Sequence, residues 1–136
     1  GSTKKKFNFN NYKSFKWTSK SEVRILNTID IGLYPLPNEE WVKGKSGLKA
    51  IQFMALGIPV VATDTEINRK VIINNKTGFL VKSNKDWIKK IKLLIKNKEL
   101  RYKMGLNGIK HVEKNFSINA NKGTYLKILD KLTSDK

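Results

Sequence analysis

Gly44-Lys45-Ser46-Gly47-Leu48-Lys49-Ala50-Ile51-Gln52-Phe53-Met54-Ala55-Leu56-Gly57-Ile58-Pro59-Val60-Val61-Ala62-Thr63 is the stretch that decides the fold. It reads as a basic glycine loop, a helix, a Gly-Pro stop and a buried strand. Leu48, Ile51 and Ala55 recur at the three- and four-residue spacing of one helical face, so they are the expected inward side. Gly57 supplies the left-handed residue that ends a helix, and Pro59 prevents the helix from resuming. Val60-Val61-Ala62 is a short apolar run of the kind buried on both faces of a parallel sheet. The helix starts at a loop whose backbone N–H groups sit beside Lys45 and Lys49, and such a terminus suits a diphosphate.

Outward from this stretch the chain alternates between strand and helix patterns. On the amino-terminal side, Phe7 and Phe9 alternate as a strand edge would, and residues 12–17 read as a short strand. Ser19 or Ser21 is the expected cap of a helix carrying Val23, Leu26 and Ile29. Residues 31–36 form the next strand, and residues 37–47 the functional loop. Beyond Thr63, a helical turn near residues 69–74 leads to a strand at 79–81. Ser83, with Asp86 three residues on, marks a capping box before a helix bearing Ile88, Ile91, Leu94 and Ile95. Residues 100–115 continue as a helix with Met104, Val112 and Phe116 at multiples of four. Ser117 caps a last helix through Tyr125, Ile128, Leu129 and Leu132. Strands separated by helices predict an α/β fold with a parallel sheet.

The chain has 136 residues, room for one domain with one core. No apolar run approaches the ~18 residues that span a bilayer. The absence of cysteine excludes disulfides, thiolate metal sites and cysteine nucleophiles, and is compatible with a cytoplasmic location. No residue cluster has metal-ligand spacing, no Ser-His-Asp arrangement is present, and no cofactor is expected. The net charge of +17 comes from 28 basic residues, of which only Arg24, Arg69 and Arg101 are arginines. That scarcity argues against evolved base readout, because arginine is the residue that forks onto guanine and phosphate. Lys89, Lys90, Lys92 and Lys96 fall on the polar face of a helix. Such a surface also favours peripheral contact with anionic lipid, at up to ~1 kcal/mol per lysine near the membrane.

Met54-Ala55-Leu56-Gly57-Ile58-Pro59-Val60-Val61-Ala62 resembles, residue for residue, the end of a motif in the carboxy-terminal, donor-binding half of group 1 glycosyltransferases. These enzymes have two facing Rossmann-like domains (the GT-B fold). Ile29-Asp30-Ile31-Gly32-Leu33-Tyr34-Pro35-Leu36 is similar to that family's strand before the loop. Asn75-Lys76-Thr77-Gly78-Phe79-Leu80-Val81 is similar to its later Gly-containing element. The likeness runs from about Val23 to Phe116. The family motif begins with two glutamates, which contact the donor sugar and the ribose; here they fall on Gly44 and Gln52. A Gly-Lys loop with a lysine at the position of Lys49 resembles a branch of the wider family.

The resemblance implies a Rossmann-like small parallel sheet flanked by helices, an incomplete carboxy-terminal half of a two-domain enzyme. Gly1-Ser2 reads as a cloning remnant and residues 3–136 as the donor-binding domain. The implied activity is transfer of a sugar from a nucleotide diphosphate donor to a hydroxyl acceptor, with retention. Polysaccharide or lipid-linked glycan synthesis in a bacterium, in the cytoplasm or at the inner membrane face, is the implied setting. The substrate-binding set is Gly44, Lys45, Ser46, Gly47, Leu48, Lys49 and Gln52, with the amides of residues 46–48 and Lys45 on the diphosphate. No catalytic residue is assigned. The family domain normally opens with two further βα units carrying an Arg/Lys pair that grips the diphosphate. This chain reads as starting after them, so it is expected to be inactive alone and to expose a sheet edge through which it could form a homodimer. The acceptor would be a glycan or lipid carrier held by an amino-terminal domain.

Several residues carry competing readings. Glu39 and Glu40 are adjacent in a Pro-flanked loop, where side chains diverge, and do not suit a general acid/base pair. Asp64 and Glu66 follow a strand at its carboxyl end, where ligands bind in open α/β sheets, so either is a candidate ligand contact. His111, the only histidine, lies in mid-helix and reads as structural or exposed. Trp41 could stack on a base or sugar, or pack onto the domain. The same residues also fit a noncatalytic binding module that kept the fold after Gly44 and Gln52 replaced the carboxylates. A basic nucleic-acid module is the third and weakest reading.

Overall fold

A computed structural model describes residues 11–16, 18–37, 39 and 44–134. The elements in chain order are α1 (Ser19–Leu26), β1 (Gly32–Tyr34), α2 (Leu48–Ala55), β2 (Val60–Thr63), α3 (Glu66–Val71), β3 (Gly78–Val81), α4 (Asn84–Lys96), α5 (Lys98–Asn115) and α6 (Ile118–Ser134). The strands form one parallel sheet in the order β1-β2-β3, with Gly32 opposite Val60 and Val60 opposite Gly78.

The central strand explains the layering. Side chains alternate across a strand, so Val60 and Ala62 face one side and Val61 the other. Val60 and Ala62 join the cluster built from Ala50, Phe53, Met54, Val71 and Ile72, which α2 and α3 bring to that face. Val61 joins Phe79, Val81, Leu94 and Met104 on the opposite side, beneath α4 and α5. Val60, Val61 and Ala62 are completely buried, as the unbroken apolar run requires. Full burial of a valine side chain contributes about 1.5–3 kcal/mol, so this one strand anchors both half-cores.

The helix periodicity of α2 selects a different face from the expected one. Leu48 and Ala55 are exposed and Ile51 is half-buried, while Ala50, Phe53 and Met54 turn inward. The reason lies in α5. A Cβ at Gly105 would collide with the carbonyl oxygen of Gly57, and one at Gly108 would lie 3.2 Å from the Met54 Cβ. Two glycines one turn apart let α5 press directly on the Met54 side of α2, and that contact fixes its rotation.

Other boundaries shift for local reasons. Thr18, rather than Ser19 or Ser21, caps α1 by accepting a hydrogen bond from the Ser21 N–H. α1 ends at Leu26, so Ile29 lies beyond it. Residues 11–16 form no strand: no strand among the described residues pairs with them, and all are exposed. The expected elements at Ser83 and Ser117 hold, with Asp86 N–H on the Ser83 hydroxyl at 3.1 Å and Ala120 N–H on that of Ser117 at 3.0 Å. In α4, Leu94 is buried and Ile91 half-buried, whereas Ile88 and Ile95 face solvent. The positions of Phe7, Phe9, Glu40 and Trp41 lie outside the described residues. No helix among the described residues is long and apolar enough to cross a membrane.

Candidate functional site

Two connections leave the carboxyl end of the sheet and meet at the start of α2. The chain leaves β1 after Tyr34, and the Leu36 N–H donates to the Thr63 hydroxyl at the end of β2, at 2.9 Å. Asn68, fully buried, donates from its side-chain amide to the Thr63 carbonyl at 2.8 Å. Thr63 thus ties the loop after β1 to α3. Its role is structural, as a strand-ending residue.

On this base sits Gly47, with φ 68° and ψ 10°. The left-handed backbone alone favours glycine, and a Cβ there would lie 2.8 Å from the Val71 Cγ2. Gly47 is the N-cap of α2 but offers no side chain to the helix. Its carbonyl accepts from the Ala50 and Ile51 N–H groups at 3.0 and 3.2 Å. The N–H groups of Leu48 and Lys49 precede that first helical bond and have no partner within the helix. They carry the positive end of the helix dipole, where an anion is stabilised by about 0.3–1 kcal/mol even before direct hydrogen bonds are counted.

A cleft of about 390 Å³ opens here, lined by Glu22, Tyr34, Lys45, Ser46, Leu48, Lys49 and Gln52. Five of the seven expected site residues therefore line one cavity. Gly47 lies buried beneath it, and exposed Gly44 has open space around its Cα. Gln52, one helical turn beyond Leu48, is half-buried and presents the only side-chain amide among those lining residues. Lys49 does not reach freely into the cleft. Its ammonium pairs with the Glu22 carboxylate of α1 at 2.8 Å.

Glu22 and Tyr34 were not legible as site residues. Tyr34 closes β1 at the carboxyl end of the sheet, the position where open α/β sheets bind ligands, and that placement was the available signal. Burial raises its hydroxyl pKa, so the phenol stays protonated and can donate. Glu22 stands 27 residues from its partner, and no local pattern marks it.

Asp64 and Glu66 are committed elsewhere. Arg69 holds Asp64 at 2.5 Å and Lys82 adds a contact at 3.6 Å, while Lys70 pairs with Glu66 at 2.6 Å. Neither carboxylate lines the cleft. The Arg69 hydrogen bond is the main cause of a lowered Asp64 pKa; the charges of Arg69 and Lys82 add to it and burial opposes it. Of the two readings of His111, the structural one holds. Its Nε2 lies 3.0 Å from the Val71 carbonyl and its Nδ1 3.0 Å from the Asn115 side-chain amide. A carbonyl only accepts, so Nε2 carries the proton. No group of three or more histidine, aspartate or glutamate residues among the described residues could hold a metal ion.

The family model described as "Glycosyl transferases group 1" matches residues 5–111. The capsular polysaccharide biosynthesis glycosyltransferase CapM of Staphylococcus aureus is 31% identical over 97 residues, 70% of this chain and 24% of that protein. The carboxy-terminal domain of a group 1 glycosyl transferase, LpcC of Francisella tularensis, superposes with a TM-score of 0.67 at 26% identity, covering 78% of this chain and 53% of that one. A mutant of S. aureus TarM, solved with fondaparinux, alpha-GlcNAc-glycerol and UDP, shares the fold with a TM-score of 0.65 at 20% identity over 80% of this chain and 22% of that one. The chain thus spans about a quarter of the curated relative's length.

Proposed function

This chain belongs to the group 1 glycosyl transferases, and from that premise we propose that it is the donor-binding part of an enzyme that moves a sugar from a nucleotide diphosphate to a hydroxyl acceptor. The observation that carries the proposal is the uncapped start of α2 at the carboxyl end of a parallel sheet, opening into a cleft lined by Lys45, Lys49 and Gln52. The diphosphate lies on the amides of Ser46, Gly47 and Leu48, with Lys45 beside it. Gln52 bonds the ribose hydroxyls, which its amide can do as both donor and acceptor.

In the transfer, the acceptor oxygen bonds to the anomeric carbon and the bond from that carbon to the diphosphate oxygen breaks. The nucleoside diphosphate leaves with the electron pair, and the proton of the acceptor hydroxyl passes to the freed phosphate oxygen and from there to water. Amides aimed at the departing charge stabilise this step, each hydrogen bond to a charged group contributing about 1.5–3 kcal/mol. The acceptor, a glycan or lipid carrier, is held by an amino-terminal portion that these residues do not supply. The lysines exposed along α4 suit peripheral contact with anionic lipid. The outer edge of β1 pairs with no strand among the described residues, and a second copy could pair there.

The test is transfer by a longer protein in which this chain is joined to an amino-terminal half. Lys45→Ala should cut turnover at least tenfold, and Gln52→Ala should chiefly raise KM for the donor, because its partner is a ribose and not the breaking bond. Turnover unaffected by Lys45→Ala would contradict the assignment. Gly44 and Gln52 in place of two carboxylates favour a second reading, a noncatalytic module. Nucleotide binding without any transfer by the joined protein would select it.

A further inference from the structure

The cleft contains one carboxylate that the family motif does not account for. Glu22 comes from α1, whereas the motif's two acidic positions are Gly44 and Gln52 on the α2 side. Its carboxylate meets the Lys49 ammonium at 2.8 Å, and the two side chains are 19% and 40% exposed respectively. Both line the cleft together with Tyr34, Lys45, Ser46, Leu48 and Gln52. A lysine at the second position of a helix whose first N–H groups have no helical partner would by itself make this a strong general polyanion site. Glu22 cancels that charge at the cleft wall.

The charge of the ligand changes during the proposed reaction. The diphosphate of a sugar nucleotide is esterified at both ends and carries two negative charges. Cleavage frees a terminal phosphate, and a phosphate monoester carries about −1.5 to −2 near neutral pH, so the released nucleoside diphosphate approaches three. A fixed negative charge beside the diphosphate penalises the product more than the donor, by one unit of charge.

Resting on the donor-site reading, we infer that Glu22 is a charge-selecting residue: by neutralising Lys49 it holds down affinity for the nucleoside diphosphate product relative to the sugar nucleotide donor. A cleft with Lys49 unmatched would bind the product tightly and be slow to clear it. Glu22 also sets a limit on binding of unrelated polyanions, a useful property in a chain of net charge +17.

The experiment compares dissociation constants of UDP against UDP-glucose, and of GDP against GDP-mannose, for the wild-type chain, Glu22→Gln and Lys49→Gln at low ionic strength. Removing the carboxylate charge should tighten binding by about threefold for each unit of ligand charge, the size expected for charges several ångströms apart at a part-exposed site. The diphosphate-to-donor preference should therefore rise about threefold in Glu22→Gln and fall by a similar factor in Lys49→Gln. The shift should shrink in high salt. The double variant Glu22→Gln/Lys49→Gln should return the preference to near the wild-type value, because it restores the neutral sum. A preference that moves in neither single variant, or a uniform weakening of all four ligands, means the pair only braces α1 against α2 and overturns the inference. Failure of the donor site itself is read separately, from UDP and GDP affinities that Lys45→Ala leaves unchanged.

Discussion

Helix α2 begins and ends on a left-handed glycine, and the two ends could hardly differ more. At the amino terminus, Gly47 has φ 68° and lies beneath a cleft lined by its neighbours Ser46 and Leu48; at the carboxyl terminus, Gly57 has φ 71° and packs against Ile109 of α5. The first leaves N–H donors without a partner in the helix. The second passes its donors inward, with the Gly57 N–H on the Met54 carbonyl at 3.0 Å and the Ile58 N–H on that of Phe53 at 2.9 Å. The same backbone conformation thus serves recognition at one end and packing at the other. What separates them is the neighbour: a loop and two lysines at one end, a glycine-faced helix at the other.

The packing end should be the more sensitive to substitution. Gly105→Val forces a side chain into the Gly57 carbonyl and should cost about 3 kcal/mol or more, the upper range for overpacking. Thermal melting followed by circular dichroism would show a fall in Tm of many degrees or no cooperative transition. At the recognition end, Gly47→Ala should cost about 1–2 kcal/mol, from the left-handed backbone and the contact with Val71. Gly47→Asn should cost less, since asparagine tolerates that conformation. If Gly47→Ala melted at the wild-type temperature, the two ends of α2 would not differ as described.

The smallest effect belongs to Asp64, beside neither end. Its pKa is lowered in the folded chain, chiefly by the Arg69 hydrogen bond. A depressed carboxyl pKa contributes stability that is present above the unfolded value, near 4, and lost as pH falls through the folded one. The Arg69 side chain is largely exposed, so solvent screens the pair and the contribution is small. Asp64→Asn should accordingly flatten a small part of the Tm loss below about pH 4 and leave Tm near pH 7 only slightly reduced.

The contrast between the two ends also explains what the sequence revealed. Gly57 and Pro59 punctuate the chain locally, and the Val60-Val61-Ala62 run can be read without knowing its neighbours, so the helix-to-strand passage was legible. The buried face of α2 was not. Leu48, Ala50, Ile51, Phe53, Met54 and Ala55 are all apolar, which makes the helical pattern ambiguous; Gly105 and Gly108, some fifty residues on, decide it. Residues 12–17 read as a short strand, but a strand needs an edge to pair with, and none among the described residues meets residues 12–16. In the site, the loop and Gln52 follow from a contiguous motif. Glu22 becomes visible only when α1 is placed against α2, where its carboxylate meets the Lys49 ammonium.

The central claim is that the start of α2, and not the diffuse positive charge of the surface, holds the diphosphate. An NMR titration of the chain with UDP and GDP tests it most directly. The account predicts that the amides of Ser46, Gly47 and Leu48 shift first, with a dissociation constant near 1 mM (about −4 kcal/mol), weak because a few contacts must offset the lost freedom of the ligand. Lys45→Ala should weaken binding about three- to tenfold, while Lys92→Ala, on the exposed face of α4, should leave it unchanged. Equal losses from the two substitutions, or shifts spread along α4 and α5, would contradict it.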